Sequence, residues 1–570
     1  MFLQPIFRQN YGDMWRKILF AAALCMAGMQ SRSQEVTESA LFLAGAPSPE
    51  DVEEELLEQY TALALRPVRI NMASEGRLAS CGLFSRYQAA SIADYRRTSG
   101  DILSVAELAL LDGFGEAVAR ALAPFVSFET RAAPGSSSLE KGRVRTEAMM
   151  RSLLQESDGL RSGSYAVKLR TGDEDRWLLS ATGRKTAFLG FRPFRDLSAS
   201  AALYGRKLQY KLVLGDFNAR FGQGLLLWSG FSLSGVQSAA AMDRHPTGLS
   251  PAWTLSPVHR GAAADLTLGR FVLSGFWSYG KDVGANVTWL ARRGQLGVTG
   301  IRSGRGSVDG RLSAGKWDVF GEAAADFRGG ACAFVAGAAW NPAYQVRLAA
   351  SVRSYPAAFD GSLAGALRSS SKSSDERGAA LAFDYKSLVI TSDAAFHPSK
   401  GTSQYKTIVK YAPQVTETLS LAFRAVSRYR PMDPYPWRKE LRAEAVLGCS
   451  GGFSVKGDAS FCHNMELSWL TYVEPGYVLE RDGLKWSFHL RGTAFKVDNW
   501  EDRIYVYERD IQGAFSVPAY YGRGCSLSAV TAVKRRHFTL GARAFATAYP
   551  GMGGKKPGKT GLRLQCLFTF

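Results

Sequence analysis

The stretch Leu484-Lys-Trp-Ser-Phe-His-Leu-Arg-Gly-Thr-Ala494 indicates most clearly which fold this chain adopts. Apolar and polar residues alternate along it. The apolar face carries Leu484, Trp486, Phe488 and Leu490, and the polar face carries Lys485, Ser487, His489 and Arg491. A period of two is typical of a β-strand with one face in an apolar medium and the other in a polar one. The stretch therefore predicts an amphipathic strand.

The same alternation recurs from about residue 140 to the end of the chain, in runs separated by Gly, Asp, Asn, Pro and Ser. The last run, Leu562–Phe570, ends in an aromatic residue on its apolar face, which resembles the C-terminal strand of outer-membrane barrels. A series of β-sandwich domains would also alternate, but such domains usually end near about 100 residues. The length of the uninterrupted series favours one closed barrel.

We therefore predict a mainly β protein, in which an antiparallel transmembrane β-barrel of roughly 16–18 strands follows a small all-α domain. The expected order is an acidic helical lead-in (35–60), the helical domain (61–130), a linker or first strand (131–160) and the barrel (161–570). Longer polar stretches predict extracellular loops at 236–258, 303–312, 355–376 and 429–437.

The N-terminus reads as an export signal. Met14-Trp-Arg-Lys17 is positively charged, and the apolar stretch Ile18–Met29 that follows is too short to span a bilayer, which takes about 20 residues. We expect a signal peptide over 1–34, with Met14 as a possible true start. Together with the barrel it predicts the outer membrane as the location, with the helical domain in the periplasm.

Charge is distributed unevenly. Residues 35–129 carry 7 Arg and 15 acidic residues, and residues 1–34 carry a net +3, so the chain's net +19 leaves +24 for residues 130–570. Several arginines fall on polar faces of predicted strands, which point into a barrel's lumen. These are Arg347, Arg424, Arg428, Arg442, Arg491, Arg543 and Arg563. They predict a cationic lumen that favours anions; the alternative is that they pair with carboxylates or bind lipid phosphates.

The order of motifs in the small domain resembles the tandem helix-hairpin-helix domain of the bacterial competence DNA-receptor family. The matching residues are Asn71, Ala73, Leu78, Gly82, Ile92, Tyr95, Arg96, Gly100, Ser104, Leu108, Gly113, Phe114 and Gly115. The resemblance implies two helical hairpins, around Gly82 and around Gly113, Phe114 and Gly115. In DNA-binding members, the backbone N–H groups of such hairpins approach a phosphate.

Two features of this copy disfavour DNA as a partner. The first hairpin, Cys81–Ser85, has no second glycine, and Glu116 follows the second hairpin where a phosphate would lie. Residues 62–129 hold 7 basic and 7 acidic residues, so the counterion release that drives DNA binding is weak. We expect a structural role or a periplasmic protein partner, with DNA as the alternative.

The combination also resembles a family of Gram-negative outer-membrane proteins described as helix-hairpin-helix domain-containing, for which no substrate is implied. Two segments, 215–230 and 503–524, carry this wider resemblance. In the first, Gly215, Asp216, Gly222, Gln223 and Gly224 interrupt the alternation and predict a bend, a bulge or an inward fold of the backbone. In the second, the aromatic residues predict a membrane girdle or the lining of a pocket. They are Tyr505, Tyr507, Phe515, Tyr520 and Tyr521.

These features favour an outer-membrane conduit or docking component with a cationic lumen, in contact with outer-membrane lipid. The alternatives are a DNA-binding or DNA-uptake component and a non-conducting anchor for a periplasmic scaffold domain. No catalytic triad, carboxylate pair or metal-ligand spacing is apparent, so we expect no enzyme, no metal and no cofactor.

Overall fold

The computed structural model describes residues 67–130 and 144–570, apart from gaps at 158, 174–175, 187–195, 206–207, 230–234, 253–258, 344, 417, 432, 450–451 and 551–556. Before residue 67 it describes only 36, 39–44, 59–61 and 63–64. The expected signal peptide (1–34), most of the acidic lead-in and residues 131–143 of the linker lie outside the described residues. Of the helices that are described, none combines the length and the apolar content needed to cross a membrane.

In residues 67–130 the N-terminal domain has four short helices: α1 Glu75–Ser80, α2 Arg86–Thr98, α3 Val105–Leu110 and α4 Gly115–Leu122. Three of them begin at a serine whose hydroxyl accepts a hydrogen bond from the backbone N–H three residues on, which satisfies a donor that the helix leaves unpaired. Ile70, Leu78, Phe84, Ile92 and Leu108 are buried in the core between the helices. The small helical domain is confirmed; its tandem helix-hairpin-helix assignment stays a prediction.

Twenty-four antiparallel wall strands close into one barrel. In chain order they are β1 Arg145–Ser157, β2 Leu160–Asp173, β3 Trp177–Thr186, β4 Leu197–Tyr204, β5 Tyr210–Arg220, β6 His259–Leu268, β7 Phe271–Ser278, β8 Val283–Ala291, β9 Gly294–Ile301, β10 Arg305–Ala314, β11 Trp317–Asp326, β12 Ala331–Ala343, β13 Val346–Tyr355, β14 Glu376–Tyr385, β15 Leu388–His397, β16 Thr402–Tyr411, β17 Leu419–Tyr429, β18 Trp437–Gly448, β19 Phe453–His463, β20 Leu467–Arg481, β21 Leu484–Val497, β22 Gly522–Arg535, β23 Phe538–Ala548 and β24 Lys559–Thr569. The barrel closes where β24 pairs with β1.

Among the described residues, three pairings between short strands lie outside the wall ladder. Gly248–Pro251 forms a short strand that pairs with the end of β5. Val68–Arg69 pairs with Val126–Ser127 in the helical domain, and Ile504–Tyr505 pairs with Ala519–Tyr520 in the connection between β21 and β22.

The wall is apolar outside and polar inside, as a membrane barrel requires. In β7, Phe271, Leu273 and Trp277 are exposed, while Ser274 and Ser278 on the opposite face are buried. Short turns join the strands at the end that carries the wall's termini, and the long connections lie at the other end. Because outer-membrane barrels have short periplasmic turns and longer extracellular loops, the termini and the helical domain are periplasmic, and the protein is an outer-membrane protein.

The expected number of 16–18 strands is wrong, because the barrel has 24. Strand β10 shows why: it occupies most of the predicted loop 303–312. Its lumen face carries Arg305, Ser307, Asp309 and Arg311, all less than a tenth exposed. In a filled lumen such polar side chains are enclosed by protein, so several strands carry too few apolar residues to be recognised by alternation.

Candidate functional site

The helical domain inserts one charged side chain, Arg86, into the barrel. Arg86 is the first residue of α2 and is 4% exposed. Its Nη2 lies 3.0 Å from Asp265 Oδ1 and donates to Ser274 Oγ at 2.6 Å. Its Nη1 donates to Asn286 Oδ1 at 3.1 Å and to Thr288 Oγ1 at 3.4 Å. Strands β6, β7 and β8 together therefore hold this guanidinium.

A second cation shares the carboxylate of Asp265. Lys211 of β5 places its Nζ 2.7 Å from Asp265 Oδ2, and the side chain of Lys211 is 1% exposed. The guanidinium of Arg86 also lies 5.0 Å from the ring centre of Phe221. Buried charges persist only where they are paired, and removing one partner costs about 3–5 kcal/mol. We refer to Arg86, Lys211 and Asp265 as the Arg86 site.

Further contacts fix the domain in the periplasmic mouth of the barrel. Ser80 Oγ donates to Tyr204 Oη at 3.2 Å, and Tyr87 Oη donates to Arg292 O at 2.9 Å. Tyr204 ends β4 and Arg292 follows β8, both at the end of the barrel that carries the wall's termini. The domain thus contacts one half of the periplasmic rim, from the end of β4 to the turn after β8.

The predicted hairpin residues support the helical domain from within. Gly113 has φ +86° and its carbonyl accepts from Gln88 Nε2 at 2.7 Å. Phe114 is buried against Phe84, with ring centres 6.1 Å apart. Gly82 likewise has a positive φ, and Gly115 begins α4, where Glu116 pairs with Arg120 at 2.5 Å.

The segment that follows β5 occupies the backbone donor next to the first predicted hairpin. Arg86 directly follows the first hairpin, Cys81–Ser85, and its backbone N–H donates to Pro246 O at 3.2 Å. Sequence reasoning missed Arg86, although a signal was present. A cation at the first position of a helix opposes the helix dipole, so it needs a partner outside the helix.

The segment that follows β5 folds into the lumen. Gly215 has φ +92°, and a Cβ there would lie 2.3 Å from Ala199 O. Asp216 is 1% exposed and pairs with Arg260. These two predicted motif residues mark the place where the wall is interrupted.

The other motif residues fasten the inward segment to strand β11. Glu322 Oε2 accepts from the N–H groups of Gln223 and Leu225, both at 2.8 Å. A Cβ on Gly222 would lie 2.6 Å from the same oxygen, and a Cβ on Gly224 would lie 3.0 Å from Trp228. Of the three predicted possibilities, the segment adopts an inward fold of the backbone.

Downstream in the same segment, His245 and Arg311 meet inside the lumen. Arg311 Nη1 donates to His245 Nδ1 at 2.7 Å, and Arg311 also pairs with Asp243 at 3.0 Å. Burial, followed by the charge of Arg311, lowers the pKa of His245 to about 4. The imidazole is therefore neutral at neutral pH and accepts this hydrogen bond.

A second inward segment, 498–521, descends from the extracellular end. Arg543 pairs with Glu508 and Asp510, Arg563 pairs with Asp510, and Arg491 donates to Tyr507 O at 2.7 Å. Tyr507 stacks on Phe515, with ring centres 5.0 Å apart, and Phe515 packs against the core of the helical domain. This segment therefore links the extracellular end of the barrel to the helical domain.

The remaining predicted arginines lie on the lumen face, and several pair with acids. Arg347 lies 3.5 Å from Asp318, and Arg428 lies 3.4 Å from Asp433. Arg442 pairs with Asp458 at 2.5 Å and with Glu444 at 3.3 Å. Arg424 is half-buried, in register with Lys410 on one side and Arg442 on the other.

Strands β16–β19 line a partly accessible part of the lumen, which we call the lumenal arc. Most of its charged side chains are half-buried, whereas most of those on β6–β15 are buried. The arc has seven cations and three acids: Lys406, Lys410, Arg424, Arg428, Arg438, Arg442, Lys456, Glu440, Glu444 and Asp458. Its charged side chains thus carry a surplus of positive charge.

No protein-family model matches the sequence, and no curated protein matches it either. Among solved structures, the chain is similar to the P pilus usher (PapC) translocation pore, at 11% identity and a TM-score of 0.33, over 75% of this chain and 99% of that one. It is similar to OccK3 of Pseudomonas aeruginosa at 11% identity and a TM-score of 0.29, over 75% and 95%. It is similar to OccAB3 of Acinetobacter baumannii at 10% identity and a TM-score of 0.28, over 75% and 99%.

Proposed function

We propose that the protein is a gated outer-membrane conduit, in which the helical domain closes the periplasmic mouth and moves aside for passage. The Arg86 site carries this proposal. A buried arginine held by three wall strands fixes the domain through a few polar contacts, and polar contacts can be exchanged for water when the domain moves. A permanent closure would be expected to rely on a continuous apolar interface instead.

The lumenal arc supports a conduit over a plain membrane anchor. Its half-buried side chains lie on the side of the barrel away from the Arg86 site, so the helical domain leaves that side partly accessible. The cationic surplus of the arc favours anions over cations. We therefore expect an anion-preferring path along β16–β19 once the mouth opens.

The face of the helical domain turned away from the barrel is where a periplasmic protein would act. Its exposed groups include Leu103 and Leu110, which are 61% and 84% exposed, and the ion pair of Asp94 and Arg97. A partner bound at this face would reach the domain without displacing a wall contact. Docking of a partner and gating of the mouth would then both act through the helical domain. DNA is the weaker alternative, since the Arg86 N–H is already engaged by Pro246.

Planar-bilayer recording of the purified protein tests the proposal. We expect low basal conductance for the wild type and long high-conductance openings for Arg86→Ala, because the variant removes the cation that the wall strands hold. Arg97→Ala is the matched control, since Arg97 is an exposed arginine of the same domain that pairs with Asp94. Equal conductance of wild type and Arg86→Ala would refute gating by this contact.

A salt gradient in the same recordings tests the charge of the path. The double variant Lys406→Gln/Lys410→Gln, made in the Arg86→Ala background, should lower the anion preference of the open state. Lys439→Gln, on the outward face of β18, should leave it unchanged. If the double variant left the reversal potential unaltered, the anion path would not run along β16–β19.

A further inference from the structure

The barrel wall is interrupted beside β4. The ladder between β4 and β5 ends where Ser200 lies opposite Gly215, although β4 itself extends to Leu197. Beyond Gly215, β5 pairs with the inner short strand Gly248–Pro251. Within the described part of the wall, the upper end of β4 therefore has no ladder partner on β5. We call this place the β4–β6 seam.

Side chains replace the missing ladder at the seam. Asp216 Oδ2 accepts from Ala199 N–H at 3.1 Å, and Arg260 Nη2 donates to Leu197 O at 2.7 Å. Arg260 Nε and Asp216 Oδ1 are 2.5 Å apart. Backbone groups in a bilayer must be satisfied within the protein, and here one ion pair satisfies two of them. Side chains can release such bonds by changing rotamer, whereas a ladder requires a strand to separate.

An apolar cavity of about 400 Å³ opens on the outer face at the seam. Its lining includes Leu169, Leu179, Ala199, Ala201, Leu214 and Gly215. A neighbouring cavity of about 190 Å³ shares Leu179, Ala201 and Leu214 with it. The small side chains of Ala199 and Ala201 and the absent side chain of Gly215 form this hollow in a surface that otherwise faces lipid.

An apolar cluster also lies in the lumen behind the seam. Phe217, Phe221, Leu226, Leu227 and Leu249 form a buried cluster that is continuous with the inner end of β5. Such a cluster is unusual for the inside of a barrel, where polar residues prevail. Apolar residues thus lie both on the outer face and in the lumen next to the ion pair of Asp216 and Arg260.

We propose that the β4–β6 seam is a lateral passage between the lumen and the bilayer for a single-chain amphiphile that carries a carboxylate. The acyl chain occupies the outer cavity and the inner apolar cluster in turn. The carboxylate replaces Asp216 as the partner of Arg260 while it passes. This inference names the cargo of the conduit and rests on the proposed function, because the cargo must also cross the gated mouth.

Photolabelling with a diazirine analogue of palmitic acid in proteoliposomes tests the passage. We expect the wild type to be labelled both at the outer cavity and on the lumenal segment 221–229. Filling the cavity with Ala199→Phe/Ala201→Phe should lower lumenal labelling about tenfold, equivalent to about 1.4 kcal/mol. Ala264→Phe, on the outward face of β6, is the matched control and should change nothing.

Asp216→Asn provides a second variant that does not alter the cavity. Its amide oxygen can still accept from Ala199 N–H, but the ion pair with Arg260 is lost, so lumenal labelling should rise. The lateral passage would be overturned if neither variant changed the lumenal labelling, or if labelling were confined to the outer face. The ion conductance of Arg86→Ala is measured in planar bilayers, independently of the labelling. If that variant conducts ions while lumenal labelling does not depend on the cavity, the conduit stands and the lateral passage fails.

Discussion

Arg86 and its partners form an ion cluster whose charges depend on one another. Asp265 is the carboxylate that faces both Arg86 and Lys211, and all three side chains are less than a tenth exposed. Neutralising the shared acid would leave two buried cations beside each other, which is costlier than losing either cation. The contact between the helical domain and the barrel wall at this site therefore depends on one carboxylate.

Asp265→Asn should therefore loosen the helical domain from the barrel by about 3–5 kcal/mol. Hydrogen–deuterium exchange of α1 and α2 measures this loosening, and the variant should exchange much faster there while the wall strands stay protected. Asp94→Asn is the control, because Asp94 pairs with Arg97 on the outward face of the domain. Unchanged exchange in Asp265→Asn would mean that other contacts hold the domain.

Strand β5 performs two tasks, and Gly215 separates them. Up to Gly215 the strand pairs with β4, and beyond it the same edge pairs with Gly248–Pro251 and leads to the inward motif that Glu322 fastens. A side chain at this position would meet Ala199 O at 2.3 Å and would also adopt a left-handed backbone conformation, which costs about 1–3 kcal/mol.

Gly215→Ala should lower the fraction of protein that assembles into a heat-modifiable barrel. Semi-native gel mobility checks this, with Gly275→Ala as control: Gly275 lies in β7, and a Cβ there would meet nothing within 4 Å. Wild-type assembly of Gly215→Ala would show that the inward turn is not required by the wall.

Much of this element-scale structure can be predicted from the sequence, but not all of it. The strand Leu484–Val497 alternates strongly, because one face meets lipid, so it is visible without a structure. Strand β10 cannot be recognised from its sequence, because the polar side chains of Asp309, Arg311 and their neighbours are enclosed inside a filled lumen. The Arg86 site could not be derived either, since Arg86 and Asp265 are 179 residues apart and meet only after the barrel closes.

The whole molecule is a large barrel filled from three directions. The helical domain enters the periplasmic mouth, the segment after β5 folds in from the wall, and segment 498–521 descends from the extracellular end. The contact of Phe515 with the helical domain joins the last of these to the first. Packed side chains therefore connect the extracellular end of the barrel to the helical domain in the periplasmic mouth. The lumenal arc stays partly accessible beside this filling.

A reversible disulfide between the helical domain and the wall tests the gated conduit most directly. A Cβ at Gly76 would lie 4.0 Å from the Cβ of Lys211, within the range of about 3.5–4.5 Å that a disulfide spans. The variant Gly76→Cys/Lys211→Cys, made in the Arg86→Ala background, is recorded in planar bilayers with the bond mapped by mass spectrometry. We predict low conductance when it is oxidised and high conductance after reduction, with no redox response in Arg86→Ala alone. High conductance with the disulfide intact would contradict the central claim that movement of the helical domain opens the barrel.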